Sequence, residues 1–308
     1  MIKSNTNKDI KIKDGKDVIA LNIIAYVLCG LVALVCLVPF WMVIAASFTS
    51  EQAIVNQGFA LWPQEFSVEA YNTIFKEPTV ILRAYINTIV LTIVGTILGL
   101  LLQTLTAYAL SRKDFAWRNG FSFFFYFTTL FSGGLVPYYI LITQELGLGN
   151  SYLALLLPPL FNVFNLLIMR TYINTLPDSL IDAAKIDGCG EFRTLFQIVV
   201  PLIKPALATI GLFIALTYWN DWYNAMLYIN SQEKYPLQYF LYEKVNNIEG
   251  YKKLIAQNVS GSVVSTVELP SESLKMALTV VVTGPIVLAY PLVQKYFVKG
   301  ITIGAVKG

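Results

Sequence analysis

Long stretches without a charged residue alternate with short polar segments along this chain. Five stretches are wholly uncharged: residues 18–50, 84–111, 119–144, 146–169 and 276–294. A sixth stretch, from Pro205 to Ile229, is interrupted by Asp221 alone. About 20 apolar residues in a helix cross the ~30 Å hydrocarbon core of a membrane, and backbone exposed to lipid must form its hydrogen bonds within its own segment. The pattern therefore predicts an all-α integral membrane protein with about six transmembrane helices.

The polar segments divide the chain into spans, loops and tails. The predicted parts are an N-terminal tail at 1–17, a first span at 18–48, an external loop at 49–78, a core with spans two to six at 79–298, and a C-terminal tail at 299–308. The core includes a cytoplasmic loop at 173–204 and an external loop at 230–273. The first stretch is far longer than the ~7–15-residue apolar region of a signal peptide, so we expect an uncleaved span.

Composition and charge placement support this interpretation and orient it. Hydrophobic residues make up 56% of the 308 positions and charged residues 13%, whereas a soluble domain carries about 25% charged residues. Fifteen of the 22 lysines and arginines fall in the N-terminal tail, the predicted cytoplasmic loops and the C-terminal tail, and seven fall on the other side. Because positive charge accumulates on the cytoplasmic side, both termini are predicted to be cytoplasmic.

The sequence lacks the residues and motifs of common enzymes. It has no histidine, which removes the usual general base and the usual zinc ligand. It also has no GxxxxGK[ST] phosphate-binding loop, no GxSxG and no HExxH motif. We therefore predict that this chain has no catalytic, cofactor-binding or metal-binding residue, and that it has no nucleic-acid partner.

One acidic residue lies within a predicted span. Asp221 is surrounded by aromatic and amide side chains in the run Trp219-Asn220-Asp221-Trp222-Tyr223-Asn224. A charge in a membrane span is by default a hypothesis of function, which makes Trp219, Asn220, Asp221 and Asn224 candidates for a translocation path. The alternative is that Asp221 lies at the outer interface, with the tryptophans in the aromatic belt.

The cytoplasmic loop has the sequence signals of a helix–turn–helix. Pro177 and Asp178 begin a short helix that is predicted to run through Asp187, and Gly188 ends it. A second short helix is predicted from Glu191 to Val199, stopping before Pro201. Ala183 and Ala184 offer a small face of the first helix, which suits docking into a groove of a partner. An ordinary amphipathic helix on the membrane surface is the alternative.

The spacing in this loop resembles the cytoplasmic signature of ABC importer permeases. That signature is Glu-Ala-Ala, three residues, Gly, nine residues, then Ile-x-Leu-Pro. The chain has Asp182-Ala183-Ala184, three residues, Gly188, nine residues, then Ile198-Val199-Val200-Pro201. Asp182 and Val200 depart from the pattern, and both replacements are conservative.

Further motifs resemble the maltose-type carbohydrate permeases in particular. They are Trp219-Asn220-Asp221, Asn87-Thr88, the segment Ala107-Tyr108-Ala109-Leu110-Ser111-Arg112, and the tail at 294–308. The run from Phe131 to Pro137, with its Gly133-Gly134 pair, resembles a subgroup associated with larger oligosaccharides and polysaccharide fragments.

The resemblance implies a type I ABC importer permease fold and a set of partners. This chain would pair with a second permease in a heterodimer within a bacterial plasma membrane, in contact with lipid. Two cytoplasmic ATPase subunits would bind ATP and Mg²⁺, and an external sugar-binding protein would deliver a carbohydrate. The residues that the resemblance assigns to coupling with the ATPase are Asp182, Ala183, Ala184, Lys185, Asp187, Gly188, Phe192, Arg193 and Pro201.

Two other functions stay open at the level of sequence. The first is an ABC importer for another solute, such as amino acids or phosphate. The second is a membrane carrier or enzyme that works without an ATPase, although the shortage of titratable groups in the spans disfavours ion coupling.

Overall fold

The computed structural model describes residues 15–76, 78–258 and 272–287, and this part of the chain is helical, with one isolated antiparallel bridge between Thr49 and Phe66. The helices, in chain order, are α1 (Lys16–Ser47), α2 (Glu51–Gln57), α3 (Glu69–Ile74), α4 (Pro78–Ser111), α5 (Arg118–Leu130), α6 (Leu135–Ile140), α7 (Tyr152–Leu156), α8 (Val163–Ile173), α9 (Asp178–Ile186), α10 (Glu191–Thr194), α11 (Val200–Leu202), α12 (Lys204–Trp219), α13 (Tyr223–Tyr228), α14 (Leu237–Asn258) and α15 (272–287). Single π-helical turns follow α6 at Leu141–Glu145 and α10 at Leu195–Val199, and a 3₁₀ turn lies at Gln232–Lys234.

Two helices of the described chain are long and apolar enough to cross a membrane, Asp17–Ser47 and Pro78–Ser111. Two bent pairs raise this number to four if each pair is one span: Arg118–Leu130 with Leu135–Glu145, bent by 114°, and Glu191–Leu202 with Lys204–Trp219, bent by 86°. The predicted first and second spans are thus confirmed as helices. The count of six stays a prediction, and so do the predicted boundaries of loops and tails; the tail at 299–308 and most of the tail at 1–17 lie outside the described residues.

Three of the six stretches are not the unbroken helices that their length predicts. The stretch 119–144 is interrupted at Phe131–Gly134, where the Gly133-Gly134 pair permits the break and Gly134 takes a φ of 89°. The stretch 146–169 is interrupted between α7 and α8, where Pro158 and Pro159 lack the N–H that a helix needs. The third break separates α12 from α13 at Asn220–Trp222, where polar side chains bond the backbone locally.

The chain divides into two compact units, of which the first comprises the residues up to Tyr71 together with 270–280. Its α1 has apolar side chains exposed on every face, as expected for a helix that is surrounded by lipid. The carboxylate of Glu51 accepts hydrogen bonds from the backbone N–H groups of Glu272 and Ser273, at 2.9–3.0 Å. A carboxylate at this point stabilises the start of α15, because the first N–H groups of a helix have no partner within it.

The second unit, residues 72–269 and 281–308, is built around the packing of α4 against α12 and α8. Small residues allow α4 and α12 to approach closely. A Cβ added to Gly95 would lie 2.2 Å from the ring of Tyr218, and one added to Gly211 would lie 3.1 Å from Leu100. Such contacts are the usual way in which helices associate within a membrane, where lipid removes the hydrophobic drive for association.

The outer loop predicted at 230–273 contains a long helix that the sequence pattern did not reveal. Helix α14 covers 22 residues, and α4 holds its start. The amide of Asn87 donates to the carbonyl oxygens of Glu233 and Tyr235, and the hydroxyl of Thr88 accepts from the backbone N–H of Leu237 at 2.7 Å. The predicted bend at Gly261-Ser262 lies outside the described residues.

Candidate coupling site

Helix α9 has the bounds that its sequence signals predict. Pro177 precedes it, Asp178 begins it, and its last backbone bonds close at Asp187, whose N–H donates to the carbonyl of Ala183 at 3.0 Å. Gly188 follows with a φ of 74°, a left-handed conformation that a residue with a Cβ adopts only at a cost. The Cys189 N–H then donates to the carbonyl of Ala184 at 2.9 Å. The predicted helix and its glycine turn are therefore confirmed.

The second helical segment of the loop extends further than predicted. It runs from Glu191 through a π-helical turn to Leu202, so the expectation that it stops before Pro201 is wrong. The π-helical turn at Leu195–Val199 resets the register, and Pro201 comes at the start of the new segment, α11. Proline is tolerated in a first helical turn because the N–H that it lacks would have no partner there.

The outer surface of α9 carries the predicted docking residues, with one exception. Asp182, Ala183, Asp187 and Gly188 are exposed, as expected for contact with a partner. Ala184 is 3% exposed and faces the interior together with Ile181, so it does not share the exposed face of Ala183. The reason is helical geometry, since neighbouring residues point about 100° apart and α9 is amphipathic.

Two large apolar side chains of the same loop are also exposed. Ile186 is 86% exposed and Phe192 is 72% exposed. Phe192 was among the predicted residues, but Ile186 was missed; its position four residues after Asp182 and three after Ala183 was the available signal, because such residues share a helix face. We call Asp182, Ala183, Ile186 and Phe192 the docking face.

The remaining predicted coupling residues surround this face. Arg193 is exposed, and its Nε donates to Oε1 of Gln197 at 2.9 Å. Pro201 is exposed at the far end of the loop. Lys185 turns away from the docking face and donates from Nζ to Oδ2 of Asp114 at 2.6 Å.

Polar contacts join the loop to the C-terminal end of α4. The hydroxyl of Tyr108 donates to Oε2 of Glu191 at 2.5 Å, and Nη2 of Arg112 lies 3.4 Å from Oε1 of the same carboxylate. Arg112 also donates to Oδ2 of Asp114 at 3.2 Å. The hydrogen bond from Lys185, together with nearby Arg112, holds the pKa of Asp114 below its ordinary value.

A cavity of about 380 Å³ adjoins these contacts. Its walls are mainly apolar, and Arg112, Asp114 and Glu191 contribute the charged groups. The other residues that line it are Leu105, Tyr108, Ala109, Phe115, Phe192 and Leu195. The C-terminal end of α4 and the second segment of the loop thus border a common cavity.

The candidate path residues lie together at the break between α12 and α13. Trp219 ends α12, and its indole N–H is buried without a hydrogen-bond partner in the described chain. Asn220 is exposed. Asp221 accepts from both the backbone N–H and the side-chain amide of Asn224, at 3.1 and 2.9 Å, and so caps α13. These contacts give Asp221 a local structural role, and its place in a path stays a prediction.

Within the described residues, no group of three or more histidine, cysteine or acidic side chains could hold a metal ion. What the structure offers instead is a set of bent and broken membrane helices with an exposed docking face on one loop. Long apolar helices of this kind define an integral membrane protein.

Comparison with known proteins agrees with this class. Residues 95–303 match the family described as binding-protein-dependent transport system inner membrane component. The chain belongs to this family, so it is the membrane permease subunit of a transport system and not a catalytic enzyme.

The relatives and a solved structure extend the match over most of the chain. The permease protein YtcP of Bacillus subtilis (strain 168), named for polygalacturonan/rhamnogalacturonan transport, is 42% identical over 276 residues, covering 90% of this chain and 94% of the relative. Protein LplC of the same organism is 39% identical over 279 residues, covering 91% and 92%. A crystal structure of a bacterial ABC transporter involved in the import of the acidic polysaccharide alginate has a chain that superposes with a TM-score of 0.77 at 30% identity, covering 93% of this chain and 100% of that one. The helical fold of an ABC importer permease is thereby confirmed.

Proposed function

We propose that this chain is one of two different permease subunits of an ATP-driven importer that carries an oligosaccharide across the bacterial plasma membrane. An external binding protein delivers the sugar, and two cytoplasmic ATPase subunits, which hold ATP and Mg²⁺, supply the energy. This chain binds no cofactor of its own. ATP binding closes the ATPase pair and draws the coupling loops together, which opens the path outward, and hydrolysis returns it inward.

The observation that carries this proposal is the docking face. Ile186 and Phe192 expose apolar side chains on a short amphipathic helix and its neighbour, next to the charged Asp182. Burial of such side chains against a partner is favourable, and a carboxylate beside them supplies orientation. The docking face therefore fits a groove of a cytoplasmic ATPase subunit.

The carbohydrate assignment rests on the relatives. YtcP is named for polygalacturonan/rhamnogalacturonan transport, and further relatives are named for arabinooligosaccharides and for trehalose and maltose. The alginate importer is named for an acidic polysaccharide. A carbohydrate is the solute class common to this group, and the motifs around Trp219 support the same class.

Broken spans support a path through the chain. The break between α5 and α6 borders a cavity of about 530 Å³ that is lined by Gly134, Pro137 and Tyr138, among others. Irregular backbone at membrane depth is tolerated only where it meets protein or a water-filled cavity. We infer that this break and the Trp219–Asn224 segment face the second permease or the path between the two subunits, and not lipid.

In the proposed topology the chain crosses the membrane six times and keeps both termini and the coupling loop in the cytoplasm. Cys189 lies in this loop and is partly exposed, whereas Cys29 and Cys36 belong to α1. A membrane-impermeant maleimide should label Cys189 in inside-out vesicles but not in right-side-out vesicles, and Cys189→Ser should abolish the labelling. Labelling from the outside would reverse the topology.

Reconstitution tests the function itself. The two permeases, the ATPase subunits and the binding protein are placed in proteoliposomes, and uptake of trigalacturonate and of maltotriose is measured with and without internal ATP. We expect ATP-dependent uptake of one of these sugars. Transport of an amino acid or of phosphate instead would overturn the carbohydrate assignment, and ATP-independent uptake by this chain alone would overturn the importer assignment.

A further inference from the structure

The contacts between α4 and the coupling loop differ greatly in burial. The ion pairs Lys113–Asp178 and Lys185–Asp114 involve side chains that are 43–75% exposed. Exposed pairs of this kind hold two segments together only weakly. In contrast, Tyr108 is 6% exposed and the Arg112 side chain 12%. Both donors are thus better shielded from solvent than Lys113 and Lys185, whereas the Glu191 side chain that accepts from them is 54% exposed.

Glu191 receives both of these buried donors. Tyr108 lies in the last turn of α4 and Arg112 directly follows the helix, and each reaches a different oxygen of the Glu191 carboxylate. The guanidinium of Arg112 also lies 5.8 Å from the centre of the Tyr108 ring, which fixes the two donors relative to each other. Glu191 is the first residue of α10, where a carboxylate is favoured by the helix N-terminus.

Apolar packing between α4 and the loop lies next to the polar contacts of Glu191. Ala107 and Leu110 of α4 are buried in the same cluster as Leu195 and Val199 of the loop. A shift of the second loop segment against α4 would therefore break the partly buried Tyr108–Glu191 hydrogen bond and open a packed core at the same time. Close-packed contacts of this kind move as a unit because they do not deform continuously.

We propose that Tyr108, Arg112 and Glu191 form a clamp, made of positioning residues, through which displacement of the docking face moves the inner end of α4. This inference rests on the proposed function, since it assumes an ATPase on the docking face. It assigns α4 as the membrane span that receives the motion first. The exposed pairs on Asp114 and Asp178 are secondary contacts of the same junction.

The test measures ATP hydrolysis by the complete importer in nanodiscs. We define the coupling ratio as the rate with sugar-loaded binding protein divided by the rate without it. Tyr108→Phe removes only the hydroxyl and leaves the ring in the core. We expect the ATPase subunits to copurify in full amount and the ratio to fall about tenfold or more, as the loss of one hydrogen bond to a charged group would produce. Tyr126→Phe is the matched control, because Tyr126 lies on α5 with its side chain largely exposed, and its ratio should equal that of the wild type.

Glu191→Gln gives a second, independent variant, since the amide oxygen still accepts from Tyr108 but loses the charge that faces Arg112. Its ratio should fall less than that of Tyr108→Phe, and the ratio of the double variant should fall by less than the product of the two single reductions, because both changes act on the Glu191 carboxylate. Wild-type coupling in Tyr108→Phe, or full additivity in the double variant, would overturn the clamp. If the wild-type importer itself showed no stimulation by binding protein, the proposed function would fail, which is a different result.

Discussion

Gly95 of α4 lies directly against the ring of Tyr218 of α12, so close that no side chain fits between the two helices at this point. The hydroxyl of Tyr218 donates to the carbonyl of Leu156 at 2.6 Å, which prevents the ring from swinging away. The glycine and the anchored tyrosine thus set the distance between the two best-packed helices of the second unit.

A methyl group at Gly95 should therefore separate these helices. We expect Gly95→Ala to destabilise the folded subunit by about 1–3 kcal/mol, the usual cost of overpacking a core. Thermal unfolding of the detergent-solubilised importer measures this effect. Gly30→Ala is the matched control, because a Cβ at Gly30 in α1 meets nothing within 4 Å. Equal melting temperatures for the two variants would contradict the close contact.

Two nearby glycines in the coupling loop allow the effect of backbone conformation to be distinguished from the effect of steric space. Neither Gly188 nor Gly190 has an atom within 4 Å of an added Cβ, but only Gly188 has a positive φ. Gly188→Ala should cost about 1 kcal/mol in the turn and lower the stimulation of ATP hydrolysis by binding protein, because the docking face loses its fixed shape. Gly190→Ala should leave this stimulation unchanged. Membrane insertion of both variants, measured by their yield in the membrane fraction, should equal that of the wild type.

Substitution of Asp221 tests the candidate path. An asparagine at this position keeps an oxygen that can accept from the backbone N–H of Asn224, so the cap of α13 is preserved while the charge is lost. We expect Asp221→Asn to lower the rate of sugar uptake at an unchanged melting temperature. Unchanged uptake would favour the alternative interpretation of the sequence, in which Asp221 lies at the outer membrane–water interface.

The contact between Asp114 and Lys185 of the coupling loop should not depend on pH near neutrality. The hydrogen bond from Lys185 lowers the pKa of Asp114 in the folded protein. The stabilisation from this pair is therefore present at every pH above the pKa that Asp114 has in the unfolded chain. It is lost only as the pH falls through the lower pKa of the folded protein. Between about pH 6 and 8 the carboxylate stays ionised. The coupling ratio of Asp114→Asn relative to wild type should therefore be constant over this range, and a ratio that varies with pH would contradict the assignment.

Local signals in the sequence predicted local structure well. The uncharged run that ends at Ser111 and the proline, aspartate and glycine signals around α9 each depend on residues within a few turns of one another, and the structure agrees with them. The helix breaks at Pro158-Pro159 and at Asn220–Trp222 were missed, because hydropathy reports the polarity of side chains and not whether the backbone can form helical hydrogen bonds.

What the sequence could not predict depends on distant residues. Tyr108 and Glu191 are 83 positions apart, and nothing near either residue indicates that they meet. The inward orientation of Ala184 and the exposure of Ile186 follow from which side of α9 packs on the chain, which is a tertiary property. The long helix α14 is polar enough to resemble a loop by composition, and its start is set by bonds from Asn87 and Thr88 on another helix.

The exposed Ile186 and Phe192 also bear on how such a subunit is made. If an ATPase covers this face as proposed, the burial of each side chain contributes about 1.5–3 kcal/mol, and the unassembled chain carries an exposed apolar patch that favours aggregation. Production of this permease alone should therefore yield little usable protein, whereas coproduction with the proposed ATPase partner should rescue it. The face that the proposal assigns to coupling is then, before assembly, a part of the newly made chain that needs shielding.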